Sequence, residues 1–310
     1  MKRALLLATA ILFAFASNAV AATKTTVAPL TINNLVPTVT TNFSGGDQVS
    51  ALLTSPSAIY LVGTAETNTS QLLTSAPLGG SDGYIIALNS NGSHSWDLRL
   101  GTSGDDIAST GYVDITGNIW VAGASAVATS AAPAAGLNRL TVWEISPAGL
   151  LLNTFTKDLT DVDIPTSITL KGANFIIQGV SSRVGAPTFT LSMTPLGKLG
   201  SVKNSPTKPI VSSQIFSATS AAYGWLSYVS PKPIGGVLGM PLHQSTTVLI
   251  KSSLKDRSLK GIYSVQGAPI SLTYQSGIGV VELTSLSGSY LLTVIHTKYC
   301  LLYTSPSPRD

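Results

Sequence analysis

An all-β fold built from repeated units is what this sequence predicts, and three observations carry that reading. An Asp is followed sixteen or seventeen residues later by a Gly that closes a short apolar run, from Asp47 to Gly63, Asp106 to Gly123 and Asp163 to Gly179. Successive copies stand 56 to 60 residues apart, the self-similarity expected of a stacked array of like units. Charged residues make up only 10% of the chain, and no window keeps apolar residues at the three-and-four spacing of a surface helix beyond a turn or two.

Each unit reads as four short strands. In the best-defined one they are expected over 107–113, 119–123, 140–145 and 150–155. Asp114-Ile115-Thr116-Gly117-Asn118 supplies the first turn, because Asp and Asn bond nearby backbone and Gly accepts positive φ. Ser146-Pro147-Ala148-Gly149 supplies the last, echoed by Asn89-Ser90-Asn91-Gly92 and Thr194-Pro195-Leu196-Gly197. Beyond Pro209 the pattern fades, and strands are expected over 225–229, 247–251, 262–265, 270–274, 280–283 and 290–295.

Both ends are read as lying outside this array. Residues 1–22 have the layout of a secretory signal peptide: Lys2 and Arg3, an apolar run over 4–16, then small residues at Ala19-Val20-Ala21. The chain is therefore expected to be secreted, periplasmic or on the cell surface, with no lasting membrane span. Residues 300–310, from Cys300 to Asp310, resemble the translation of an adapter used in transposase-based sequencing libraries and are read as a non-native tail. The repeat domain is then 23–299, and the array is expected to run on past Tyr299 in the natural protein.

Without these ends the 18 cations and 14 anions fall to 15 and 13, too near balance and too scattered for a nucleic-acid face. The single cysteine, Cys300, lies in the tail, so no disulfide supports the domain, which must rest on its core.

The segment Gly79-Gly80-Ser81-Asp82-Gly83-Tyr84-Ile85-Ile86-Ala87-Leu88-Asn89-Ser90-Asn91-Gly92, with Trp96, the stretch 101–106 and the stretch 114–123, resembles the bacterial β-propeller repeat called SBBP. The resemblance covers about 45 residues within 79–125. Over 87–96, where Gly92 stands four residues before Trp96, the chain also resembles the quinoprotein-type propeller repeat more weakly. What the resemblance implies is a β-propeller of four-stranded antiparallel blades, about five in this chain, in a secreted or surface protein. The SBBP pattern brings no catalytic residues with it.

In an up-and-down blade, the loop between the second and third strands emerges on the same face as the connector to the next blade. The long second-to-third loops, expected over 65–82 and 124–138, thus share a face with connectors carrying Asp47, Asp105, Asp106, Asp158, Asp161 and Asp163. All of these but Asp158 are the candidate ligand-facing residues. The recurring Asp47, Asp106 and Asp163 have two readings: a ring of oxygen ligands for a cation, or carboxylates that cap turns through backbone amides. The second is preferred, because nothing in the sequence assembles the six or so oxygens that Ca²⁺ takes.

Other patterns are set aside on context. Gly79-Gly80-Ser81-Asp82-Gly83 satisfies the G-x-S-x-G nucleophile pattern, but a strand-like run follows it where a helix is required. His94, His243 and His296 lack ligand-like spacing. Trp96, Trp120, Trp143 and Trp225 are read as packing between blades. Lys251, Lys255, Arg257 and Lys260 are read as a solvated hairpin edge. The expected function is a non-catalytic scaffold or binding module that takes an extracellular protein or polysaccharide, with no cofactor and no metal. The competing classes are a glycan-active propeller enzyme, which would need carboxylates such as Asp105, Asp161 and Glu66 to converge, and a surface adhesin.

Overall fold

The computed structural model describes residues 32–34, 39–42, 47–66, 72–129, 132–207, 215–229, 246–287 and 289–296. Residues 1–22, on which the signal-peptide expectation falls, His243 and residues 300–310 lie outside the described residues. Every regular element among those described is a β-strand.

Two short strands come first, β1 (Ile32–Asn34) and β2 (Val39–Asn42). Blade 1 follows as β3 (Gln48–Thr54), β4 (Ala58–Ala65), β5 (Asp82–Asn89) and β6 (His94–Leu100). Blade 2 is β7 (Asp106–Val113), β8 (Ile119–Thr129), β9 (Ala132–Ile145) and β10 (Leu151–Asp158). Blade 3 is β11 (Asp163–Lys171), β12 (Asn174–Ser181), β13 (Thr188–Met193) and β14 (Lys203–Ser205). Blade 4 is β15 (Ile215–Thr219), β16 (Tyr223–Val229), β17 (Thr246–Ser253) and β18 (Leu259–Gln266). Blade 5 has three C-terminal strands, β19 (Ala268–Gln275), β20 (Gly279–Leu286) and β21 (Ser289–Ile295). Its fourth strand is β2.

Strand order within each blade is sequential and antiparallel, and the first strands of neighbouring blades adjoin: β3 with β7, β7 with β11, β15 with β19 and β19 with β3. First strands innermost and fourth strands outermost make a β-propeller of five blades. The pairing of β2 with β21, from Val39↔Leu292 to Asn42↔Ser289, gives the last blade an outer strand from the start of the chain. β1 adds a parallel fifth strand to blade 4.

The repeat has a local cause. The first strand carries a β-bulge at the same place in blades 1, 2, 3 and 5, between Val49/Ala51, Ala108/Thr110, Pro165/Ser167 and Pro269/Ser271. A bulge bends the strand and pushes its backbone toward the partner. Gly63, Gly123 and Gly179 lie opposite, and the carbonyl oxygens of Gln48, Ile107 and Ile164 occupy the space a β-carbon there would need. The Gly that closes each apolar run is thus fixed by close backbone approach.

The alternating apolar runs build four cores, one between each of blades 5 and 1, 1 and 2, 2 and 3, and 4 and 5. Trp143 fills the core between blades 1 and 2, Trp120 that between 2 and 3, and Trp225 that between 4 and 5. The half-buried Trp96 packs beside Tyr60 and donates from Nε1 to the Pro147 carbonyl at 3.1 Å, so blade 2's last turn rests on blade 1's outer strand. Among the described residues no comparable core joins blades 3 and 4.

Two expectations are corrected. The segment 124–138 is largely ladder, because β8 and β9 run on as a ribbon with pairs as far as Thr129↔Ala132. Pairing satisfies backbone groups that this Ala-rich stretch has few side chains to bond. Lys251 is not on a solvated edge, since β17 lies between β16 and β18; its ammonium sits 4.0 Å from the Tyr223 ring centroid, a cation–π contact.

Candidate functional site

The connector acids separate into two groups. Asp106 and Asp163 open β7 and β11, Asp47 stands just ahead of β3, and all three are buried. Asp47 Oδ1 accepts the Glu66 amide at 2.7 Å. Asp106 Oδ2 accepts the Thr102 amide at 2.6 Å and its hydroxyl at 3.0 Å. Asp163 is bonded by the Ser181 side chain, and burial raises its pKa. Each carboxylate therefore fastens a nearby loop or strand end to the blade's inner corner. Among the described residues no three His, Cys, Asp or Glu side chains gather as a metal-binding group.

Asp105 and Asp161 face outward. Asp161 is partly exposed and stands 3.9 Å from the Arg183 guanidinium, a loose surface pair. Asp105 is exposed and joins three segments. Its Oδ1 accepts the Ser81 amide at 2.9 Å and hydroxyl at 3.2 Å, while its carbonyl accepts the Ala126 amide at 2.7 Å. Two further backbone bonds, Gly80 to the Gly104 carbonyl at 3.2 Å and Asp106 to the Ser81 carbonyl at 2.6 Å, complete the junction. The loop residues 72–81, the connector over 101–105 and the start of the blade 2 ribbon thus form one knitted platform, on the shared face that strand parity requires.

The sequence explains why these segments approach so closely. A β-carbon on residue 79 would strike Ser103 backbone, and one on residue 80 would strike the Asp105 carboxylate. Gly79-Gly80 is a contact motif. Ser81, the nominal nucleophile of the G-x-S-x-G pattern, leads into strand β5 and spends its hydroxyl on Asp105.

Three residues that sequence reasoning passed over hold the rest of the loop. Arg99, on β6, is buried; its Nη1 donates to Asp82 Oδ2 and to the Glu66 carbonyl, both at 2.9 Å, and its Nε to the Ser75 carbonyl at 3.1 Å. Asp82 Oδ2 also accepts the Leu78 amide at 3.0 Å. Asp97 Oδ2 accepts the amides of Thr74 and Ser75 at 3.0 and 2.7 Å, and His94 Nε2 lies 3.1 Å from its Oδ1. Burial pushes the Asp97 pKa up, but hydrogen bonds from Ser75 and Thr74 outweigh it and leave the group below its ordinary value. The one available signal was charge in an otherwise alternating strand, His94-Ser95-Trp96-Asp97-Leu98-Arg99-Leu100.

Thr102, Ser103 and Leu78 remain exposed on this platform, the last 48% so. Hydroxyl, amide and apolar groups on a surface whose backbone is already bonded can grip a polar ligand at little entropic cost.

Comparison with known proteins adds likenesses of overall shape. No family model and no curated protein matches the chain. Among solved structures it is similar to the Neurospora crassa Pan2 WD40 domain, with 10% identity over 86% of this chain and 97% of that one and a TM-score of 0.32. It is also similar to the Dos1 propeller, with 10% identity over 80% and 70% of the two chains and a TM-score of 0.33. A third is the exo-β-1,3-galactanase 1,3Gal43A from Clostridium thermocellum, with 11% identity over 86% and 62% and a TM-score of 0.35. At such scores the strand order within this chain carries the fold assignment by itself.

Proposed function

We propose that this chain is an exported, non-catalytic propeller of SBBP-like repeats that binds an extracellular protein or polysaccharide through the platform above blades 1 and 2. The observation that carries the reading is the position of Asp105, whose side chain and carbonyl tie the loop residues leading into β5, the 101–105 connector and the blade 2 ribbon into one preorganised surface. Loops on a rigid scaffold are where binding groups collect. The recurring acids serve the framework: Asp47 and Asp106 accept loop amides, and Asp163 is bonded to Ser181. Export rests on the N-terminal layout of basic residues, apolar run and small-residue site.

The test is a binding screen of the whole chain against extracellular polysaccharides and proteins, repeated with Ser103→Arg. Ser103 is exposed on the connector, so the variant adds bulk to the platform without removing a structural bond. A ligand bound by the parent and lost by a folded Ser103→Arg supports the reading. A ligand that binds both equally places recognition elsewhere.

A further inference from the structure

In an up-and-down blade, the turns that join first to second and third to fourth strands all emerge on one face, opposite the connectors. That face has aliphatic tips in blades 2, 3 and 4. Ile115 and Leu150 stand at the two such turns of blade 2, 97% and 66% exposed, and Leu170 and Leu196 at those of blade 3, 44% and 91% exposed. Leu254 stands at the β17–β18 turn of blade 4, 50% exposed. In blades 1 and 5 the corresponding turns Ser55-Pro56-Ser57, Ser90-Asn91-Gly92-Ser93 and Ser276-Gly277 expose no large apolar side chain.

Several of these tips adjoin. A β-carbon on Gly117 would meet the Pro147 ring at 3.2 Å, so the two turns of blade 2 touch. One on Gly197 would strike the Phe155 ring, so the Leu196 turn lies against the strand that follows Leu150. Each turn closes on itself: Gly117, Gly149 and Gly197 donate to the carbonyls of Asp114, Ser146 and Thr194 at 3.1, 3.0 and 2.9 Å. Backbone bonded within its own turn can leave water without stranding a donor. Cations flank the tips. Lys171 follows Leu170, Lys198 stands two residues after Leu196, and Lys255 and Arg257 follow Leu254; all four are exposed, and among the described residues none is in an ion pair. The acids beside them are occupied, since Asp114 accepts from Thr116, Asn118 and Trp120, and Asp256 from Ser258. The connector face has the opposite balance: it bears the recurring acids, and its Arg139 and Arg183 are engaged by Asp158 and Asp161. The propeller is thus charge-polarised across its thickness.

We propose that the turn face of blades 2 to 4 docks on an anionic lipid surface. Aliphatic tips with cations beside them suit the interface of a bilayer, where the tips enter the boundary between headgroup and acyl chain and Lys and Arg meet phosphate. An anionic polymer in solution would engage the cations and leave Ile115 and Leu196 in water, which is why lipid is the better match. Docked this way, the propeller holds its connector face and the Asp105 junction away from the bilayer. The docking and the ligand platform therefore stand or fall separately.

The test is cosedimentation of the whole chain with vesicles of phosphatidylcholine alone and of an equal mixture of phosphatidylcholine and phosphatidylglycerol. It is repeated with Ile115→Ser combined with Leu196→Ser, and with Lys171→Glu combined with Lys198→Glu. All four side chains are exposed at turns, so both double variants are expected to keep the parent melting temperature. The expected result is tighter binding to the mixed vesicles, unchanged in Ser103→Arg, weakened about tenfold or more by the serine pair and about thirtyfold or more by the glutamate pair. No binding to the mixed vesicles overturns the proposal, as does equal binding to both kinds. Binding that both double variants retain also overturns it and places the contact elsewhere, for instance on the apolar run over 4–16. Loss in the glutamate pair alone assigns the face to an anionic polymer, and loss in the serine pair alone removes the need for anionic lipid; either result overturns it. If a variant fails to fold, hydrogen exchange of the parent decides: vesicle-dependent protection at 114–118, 146–150 and 194–198 supports the docking, and protection confined to other segments contradicts it.

Discussion

The carbonyl oxygen of Ile107 occupies the space that a β-carbon on Gly123 would need. The obstruction is backbone, fixed by the bulge between Ala108 and Thr110, so no rotamer change relieves it. Gly123→Ala is therefore expected to cost about 2–4 kcal/mol, read from the urea midpoint at unchanged slope. A cost within the range of an ordinary surface substitution would mean that the bulge relaxes freely and that the period is not set by this contact.

Asp106 is expected to act locally. Asp106→Ala removes the acceptor for both the amide and the hydroxyl of Thr102 and should cost about 2 kcal/mol. Amide exchange at Thr102 should speed up while blade 3 is unaffected. Unchanged exchange there would separate the carboxylate from the connector.

Arg99 and Asp82 form a buried pair, with the guanidinium also holding two loop carbonyls. Arg99→Met strands a buried carboxylate and should cost about 3–5 kcal/mol, with new protease cleavage within 66–81 in the folded fraction. Arg99→Lys is expected to rescue little, because an ammonium lacks the planar fork that reaches all three acceptors. Full rescue by lysine would show that charge alone suffices.

Glu282 sets a dependence on pH. It is buried on β20 against blade 4, Ser227 donates to its Oε1, and its Oε2 has no partner. Burial raises its pKa to about 7, and the Ser227 bond only partly offsets this. A carboxyl raised on folding keeps its proton in the native state after the unfolded chain has lost it. Its stabilising effect is complete below its ordinary value of 4.5 and is lost as pH rises through about 7. The loss should be on the order of 3 kcal/mol, and Glu282→Gln should flatten that limb of the curve of melting temperature against pH. The depressed Asp97 and Asp114 act in the opposite sense: what they contribute is present above 3.8 and is lost as acid protonates them. A parent chain no less stable above pH 7 than near the group's ordinary value of 4.5 would contradict the assignment to Glu282.

Much of the architecture was legible because its causes are local. Gly92, Gly149 and Gly197 mark the same turn in successive blades, with φ of 85°, 84° and 80°, and the Asp-to-Gly spacing records the bulge. The six strands expected beyond Pro209 are all present, slightly longer than read. The pairing of β2 with β21 was not legible, since four residues, Val39-Thr40-Thr41-Asn42, carry no mark of a partner some 250 positions away. Blade 5 was faint for a related reason: at its inner corner Gly267 stands just ahead of β19, where blades 1 to 3 have an Asp. As for the site, the acids were found but their roles were not separable, because Asp105 and Asp106 are adjacent in sequence and only the fold turns one outward and the other in.

The central claim is that the platform binds and does not transform. It is tested most directly by recovering the ligand from a saturated complex after prolonged incubation and measuring its mass. The account predicts an unchanged ligand, released intact on dilution. A cleaved or modified product that forms with the parent chain and not with Ser103→Arg would contradict it and place a reaction on this surface.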